Sequence, residues 1–211
     1  MVAPVSPKGE EKTMLKKIIA IDNAYAYMMA RKAGFDFFPV EEFRNVVMEG
    51  RHGIGKQSDC IDVIETLITI VKRVPENDSI AEVARVAEQV ERIQYTLEMK
   101  GCRVIVCPAK RSQDGYKQSD DPRLMIATLS ICLKLRPDFL VFVGADGDYA
   151  PLVWELRNEG IRTEVVAVMD AVASANTLAS DLRRAAYNVV DLRLVFDALK
   201  EARNGGAHQA A

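Results

Sequence analysis

Short apolar runs and longer amphipathic stretches alternate along this chain, with turn residues between them. The short runs are rich in β-branched residues and are bounded by glycine, proline or charged positions, which is typical of buried strands. They lie at 16–22, 63–74, 102–107, 139–143, 162–168 and 188–192. The stretches between them repeat their apolar positions every three to four residues, which predicts helices at 24–32, 40–49, 79–99, 121–135, 149–159 and 177–187, with a last helix after 192.

This alternation of strands and helices predicts the fold class. Units of strand, helix and strand pair their strands in parallel and use right-handed crossovers. We therefore expect an α/β fold with a doubly wound, mainly parallel sheet flanked by helices in a three-layer sandwich. One domain over 14–200 accounts for the pattern, with a disordered segment at 1–13 and a disordered tail at 201–211. The polar segment 108–119 is predicted to be a loop.

Composition narrows the classes of function. A net charge of −2 over 211 residues gives no general basic field, which argues against a protein that coats a nucleic-acid duplex. The four cysteines form no Cys-x-x-Cys pair, and His52 and His208 are the only histidines, which argues against a zinc site. No apolar run reaches the ~18 residues of a membrane span and no signal peptide is visible, so we expect a cytoplasmic protein without membrane contact.

Carboxylates stand where strands end and where one helix begins. Asp22 closes the first strand, Asp146 and Asp148 follow the strand 139–143, and Asp120 and Asp121 precede the helix 121–135. Capping explains some of them individually, since Asp22 can cap the helix 24–32 and Asp121 stands before a proline at a favourable helix start. Because the carboxyl ends of parallel strands meet at one edge of a sheet, however, these side chains are expected to converge.

Three or four carboxylate oxygens at one edge form a site for a hard cation, Mg²⁺ or Mn²⁺. Such an ion polarises a phosphoryl oxygen and lowers the pKa of bound water, which supports phosphodiester hydrolysis. His52 and His208 lie in a predicted loop and tail, so neither a Cys–His nor a Ser–His–Asp nucleophile is expected. The spacing therefore favours hydrolysis by metal-activated water.

Basic residues in the segment 108–119 are candidates for holding a nucleic-acid strand. Cations beside an aromatic residue, here Tyr116, can follow a phosphate backbone while a base stacks, although a mobile hydrophilic loop has the same composition. The predicted substrate-binding residues are Asn23, Lys110, Arg111, Lys117, Arg123, Asn176 and Thr177.

The chain resembles the NYN domain family, the LabA-like branch of the PIN-like nuclease superfamily. The resemblance lies in IIAIDNAYAY, KQSDDPRLMIATL, FLVFVGADGDYAPLVWELRNEGIRTEVVAV and the closing NVVDL. It implies a PIN-like, Rossmannoid sheet and metal-dependent cleavage of RNA, with single-stranded RNA as the expected partner. The resemblance also implies the metal-binding set Asp22, Asp121, Asp146 and Asp148, with Asp120 as the alternative to Asp121 and all five as catalytic candidates. The motifs depart from the family pattern at Tyr25, Ala145 and Gly147.

Other functions are compatible with parts of this pattern. A non-catalytic RNA-binding or regulatory module could keep the fold, but a pure phosphate binder gains nothing from several anions facing another anion. A Toprim-like domain has a glutamate after its first strand, where this chain has Asp22. A haloacid-dehalogenase phosphatase needs a second aspartate at position 24, which is alanine here. The sequence leaves the oligomeric state open, a homo-oligomer included.

Overall fold

The computed structural model describes residues 14–50, 60–112, 115–117, 119–169 and 177–207, with the backbone alone for 110–112, 115–117 and 204–207. Its centre is a six-stranded sheet in which every neighbouring pair of strands is parallel. The six strands are β1 (Leu15–Ile21), β2 (Ile61–Lys72), β3 (Arg103–Pro108), β6 (Phe139–Val143), β7 (Arg162–Ala167) and β8 (Asn188–Asp191). A separate antiparallel hairpin consists of β4 (Lys110–Ser112) and β5 (Gly115–Lys117).

The strand order β3-β2-β1-β6-β7-β8 makes the sheet doubly wound. From β1 the chain proceeds outward to β2 and β3, and from β6 it proceeds outward in the opposite direction to β7 and β8. In open α/β sheets, ligands bind beyond the carboxyl ends of the strands at the place where the winding reverses. That place is between β1 and β6, which are paired from Lys17 with Phe139 to Ile21 with Val143.

Helices cover both faces of the sheet, as the right-handed crossover rule requires. The helices are α1 (Asn23–Lys32), α2 (Val40–Met48), α3 (Ile80–Met99), α4 (Asp120–Leu135), α5 (Ala150–Asn158), α6 (Ser180–Ala185) and α7 (Leu192–Ala207). On one face, α1, α2 and α3 pack against β2 and β3, and α7 contacts α2; on the other, α4 contacts α5, which contacts α6. Among the described residues, no helix is both long and apolar enough to cross a bilayer.

The core is formed by the two central strands, β1 and β6, and the helices packed on them. All five residues of β6 are buried, as are the last five of β1. The helix α2 buries Val40, Phe43, Val46 and Val47, whose spacing of three to four residues is the one that predicted a helix at 40–49. The helix α3 begins after Ser79, whose hydroxyl accepts a hydrogen bond from the Glu82 N–H at 3.2 Å and so caps the helix.

Several predicted boundaries and elements differ from the structure. The segment 108–119 was predicted as a loop, but it contains the hairpin β4–β5, because a strand of only three residues is too short for a polar pattern to reveal. The helix α6 begins only at Ser180, and Leu192 is the first residue of α7 rather than the end of a strand. The helix α7 also continues as far as Ala207, past the predicted start of the tail at 201.

Candidate metal centre at the sheet edge

The carboxyl ends of β1 and β6 are joined directly by their backbones. The N–H of Asp22 donates to the carbonyl of Val143 at 3.0 Å, which fixes the first residue after β1 against the last residue of β6. A Cβ added at Gly144 would lie 2.7 Å from ring atoms of Phe142 and 3.5 Å from the Cβ of Asp22. Gly144 is therefore required by space, since a side chain there would clash with the buried ring of Phe142.

Asp22 both caps α1 and faces the sheet edge. Its Oδ1 accepts hydrogen bonds from the N–H groups of Ala24 at 3.0 Å and Tyr25 at 3.2 Å, so the capping role is real. Within the described part of the chain, Oδ2 accepts no hydrogen bond. The cap uses one oxygen of a carboxylate that is only 8% exposed, which leaves the other for a cation.

Two further carboxylates reach the same point from the first turn of α4. Oxygens of Asp22, Asp120 and Asp121 all lie within 4.8 Å of one another. Asp120 is 6% exposed and is the first residue of the helix, whereas Asp121 is half-buried. The expectation that Asp121 caps α4 is wrong, because Ser119 occupies the cap position, without a capping side-chain bond, and Asp121 lies inside the helix.

Tyr149 explains what Asp121 does instead of capping. The phenol of Tyr149 donates to Oδ1 of Asp121 at 2.6 Å. The ring is 1% exposed and packs on Phe142, with centroids 4.5 Å apart, so the hydroxyl is held in place. Burial raises the pKa of Tyr149 well above its ordinary value, which keeps the phenol a proton donor. Its aromatic character was visible in the sequence, but nothing there indicated that it reaches Asp121.

The three carboxylates repel one another and are poorly hydrated. The pKa of Asp22 is raised from 3.8 to about 6, chiefly because burial penalises the charged form and further because Asp121 and Asp120 carry negative charge. The N–H groups of Tyr25 and Ala24 oppose this shift. Burial likewise raises the pKa of Asp121, against the hydrogen bond from Tyr149. A cation would relieve both costs, and an all-carboxylate set suits a hard divalent ion.

Asp146 and Asp148 lie at the rim of this centre. Both are exposed, and neither belongs to the group of oxygens within 4.8 Å. Asp146 Oδ1 accepts from the N–H of Asp148 at 3.0 Å and so caps the 3-10 turn Gly147–Tyr149 that presents Tyr149. Their negative charges nevertheless contribute to the raised pKa of Asp121, so they lie within electrostatic reach of it. The structure thus brings together three of the five predicted acidic residues closely and the other two at longer range.

The predicted substrate-binding residues lie around the same edge where they are described. Arg123 is exposed in the first turn of α4, and its guanidinium donates to the carbonyl of Val106 at 3.4 Å. Lys110 and Lys117 are register partners in the hairpin, which connects β3 to α4, and Arg111 is paired with Tyr116. The Asn23 N–H donates to Thr69 Oγ1 at 3.3 Å. Thr177 precedes the Leu178 and Ala179 N–H groups that donate to Val168 and Ala145, while Asn176, like His52 and His208, lies outside the described residues.

Comparisons with known proteins identify the family. The model of the NYN domain matches residues 18–194. A search of the curated proteins gives no significant match. Among solved structures, a protein of unknown function from Vibrio parahaemolyticus RIMD 2210633 is similar, with a TM-score of 0.59 and 17% identity over 88% of this chain and 96% of that one. At that identity the likeness extends to the fold alone. Because the NYN model spans most of the chain, this protein belongs to the NYN domain family, a family of PIN-like nucleases.

Proposed function

We propose that this protein is a metal-dependent ribonuclease that hydrolyses phosphodiester bonds of single-stranded RNA at the edge between β1 and β6. The observation that carries the proposal is the meeting of Asp22, Asp120 and Asp121 within 4.8 Å at the point where the sheet reverses its winding, in a member of a nuclease family.

Asp22, Asp120 and Asp121 would hold the cation. Carboxylate oxygens favour Mg²⁺ or Mn²⁺, and the absence of His or Cys from this group of described residues disfavours zinc. When bound, such an ion polarises a phosphoryl oxygen and lowers the pKa of the attacking water. The cap bonds to Asp22 Oδ1 and the Tyr149 bond to Asp121 fix the orientation of two of the three carboxylates.

The surrounding residues have distinct parts in the proposal. Asp146 and Asp148 are near enough for their negative charges to raise the pKa of Asp121, and they are exposed enough to orient water at the rim. Lys110, Arg111 and Lys117 in the hairpin, with Arg123, neutralise phosphates of the bound strand, which offsets the repulsion between RNA and the acidic centre. Asn23, Asn176 and Thr177 are the polar residues proposed to contact the nucleotides.

Cleavage of a 5′-labelled single-stranded RNA in Mn²⁺, in Mg²⁺ and in EDTA tests the proposal. We expect cleavage with either ion, none in EDTA, and a loss of about 100-fold or more in Asp121→Asn, since losing even a partner of a metal ligand costs up to about 100-fold. The matched control is Asp197→Asn, an exposed aspartate on α7 that pairs with Lys200 and is not among the acidic candidates, and it should cut like the wild type.

Two results would contradict the assignment. An Asp121→Asn variant that cleaves normally would remove this carboxylate from the reaction. A wild-type protein that binds the RNA and cuts it with neither ion would favour the non-catalytic RNA-binding module.

A further inference from the structure

A groove of about 650 Å³ opens beside the acidic centre, on the face of the sheet that carries α1, α2 and α3. We call it the α3 groove; its walls include Tyr27, Phe37, Val86, Val90 and Ile93, and its floor is the carboxyl half of β2. Its surface is mostly apolar. Ala24 lines the groove and donates its N–H to Asp22, and Asn23 lines it as well. The groove and the acidic centre therefore share the first turn of α1.

Aromatic rings stand exposed at this groove. Phe37 is 73% exposed and Tyr27 is 44% exposed, and their ring centroids lie 6.4 Å apart. Exposing a phenylalanine ring to this extent costs free energy unless a ligand covers it. A nucleobase suits such rings, because every base has a flat π-face that stacks on an aromatic side chain.

The charges at the groove indicate what kind of ligand it takes. Among the described residues that line it, three are cationic and none is acidic, although the whole chain carries a net charge of −2. The cations are Arg73, Arg92 and Lys100. Arg92 pairs with Glu88 and Lys100 with Glu41, whereas Arg73 forms no ion pair with the described residues. A ligand with flat apolar groups and negative charge matches this lining, and a single nucleic-acid strand has both.

We propose that the α3 groove binds an unpaired base of the RNA strand whose neighbouring phosphodiester lies at the acidic centre, an inference that rests on the proposed function. Phe37 and Tyr27 stack on the base, and Arg73 contacts a phosphate next to it. The amides of Asn23 and Gln89 are available to the base edge. A paired base cannot reach these rings, so the groove selects single-stranded substrate.

The test measures binding without cleavage, by fluorescence anisotropy in EDTA. The probes are a 5′-fluorescein 12-nucleotide oligouridylate and a 12-base-pair RNA duplex with the same label. We expect Phe37→Ala and Arg73→Gln each to raise the Kd for the single strand about tenfold, in the range of one lost stacked base. Phe37→Ala should leave the Kd for the duplex unchanged, since stacking needs an unpaired base. The matched controls are Tyr95→Ala, an exposed α3 aromatic outside the groove lining, and Lys134→Gln, an exposed cation on α4, and both should bind like the wild type.

Four outcomes overturn the inference, and a further one overturns the proposed function instead. If Phe37→Ala binds the single strand normally, or if it raises the Kd for both probes equally, no base enters the groove. The same holds if the wild type binds neither probe. If Phe37→Ala instead converts a dimer to a monomer on size exclusion and leaves RNA binding intact, the groove holds a second copy of the chain. If cleavage depends on Asp121 but Phe37→Ala binds RNA normally, the proposed function holds and the groove takes no part in it. If single-strand binding depends on Phe37 but the wild type never cuts RNA, the proposed function is wrong and the groove remains a base-binding site.

Discussion

Replacing Asp22 with asparagine should make the metal-free protein more stable at neutral pH. Asparagine caps a helix about as well as aspartate, so the hydrogen bonds from Ala24 and Tyr25 can be kept while the buried charge is removed. The pKa of Asp22 rises from 3.8 in the unfolded chain to about 6 in the fold. Ionising this group in the folded state therefore costs about 3 kcal/mol.

The sign of the effect depends on pH. Between pH 4 and pH 6 the folded state holds a proton on Asp22 that the unfolded chain has lost, so the stability of the wild type falls as pH rises through this interval. The stability of Asp22→Asn does not fall in this way, because asparagine does not ionise. Since 1 kcal/mol shifts the Tm of a domain of this size by about 2–4 °C, the variant should melt about 6–12 °C higher than the wild type at pH 7.5 and nearly with it at pH 4.

Thermal unfolding followed by circular dichroism, in EDTA at both pH values, measures this difference. Asp197→Asn is the control and should stay within about 0.5 kcal/mol of the wild type at either pH. Added Mn²⁺ should then raise the Tm of the wild type at pH 7.5. At an Mn²⁺ concentration about 100 times the Kd, the free energy of unfolding should increase by about 2.7 kcal/mol, and the gain for Asp22→Asn should be far smaller. A variant that is less stable than the wild type at both pH values would show that Asp22 is only a helix cap.

Three other substitutions test separate parts of the structure. Tyr149→Phe removes the hydrogen bond to Asp121 and should weaken Mn²⁺ binding by about 10- to 100-fold in isothermal titration calorimetry; unchanged affinity would show that the phenol does not support the ligand. Asp146→Asn should abolish Mn²⁺-dependent RNA cleavage while leaving the Tm nearly unchanged, and an active variant would exclude Asp146 from the site. Lys17→Met should lower the free energy of unfolding in urea by about 3–5 kcal/mol, because it leaves the buried carboxylate of Glu164 without a counter-charge. Combining Lys17→Met with Glu164→Leu should recover most of that loss. An equally unstable double variant would show that the charges themselves are needed.

The fold was predictable from the sequence because its central strands β1, β6 and β7 are buried on both faces. A strand covered by helices on either side is a continuous apolar run, as 139–143 is, and such a run is distinct from the spaced apolar positions of the helices around it. The convergence of Asp22 with Asp120 and Asp121 followed from the rule that parallel strands end at one edge. The same rule did not separate the close group from Asp146 and Asp148, because it places residues at an edge and gives no side-chain distances.

Contacts between residues distant in sequence could not be predicted from local patterns. The Tyr149 bond to Asp121 spans 28 positions, and the ion pair of Lys17 with Glu164, at 2.6 Å and fully buried, spans 147. Both residues of that ion pair lie near the beginning of a strand, and a charged residue at such a position is usually exposed to solvent. The need for glycine at position 144 also comes from side-chain packing, since the structure shows a lack of space beside Phe142.

The position of a bound ion decides whether these carboxylates form a metal centre. Crystals of the wild-type protein soaked in MnCl₂ and measured at a wavelength where manganese scatters anomalously would locate it. We expect an anomalous peak within about 2–2.5 Å of oxygens from Asp22, Asp120 and Asp121, as for hard divalent cations in proteins. No peak among these three side chains, or a peak held only by Asp146 and Asp148, would contradict the proposed centre.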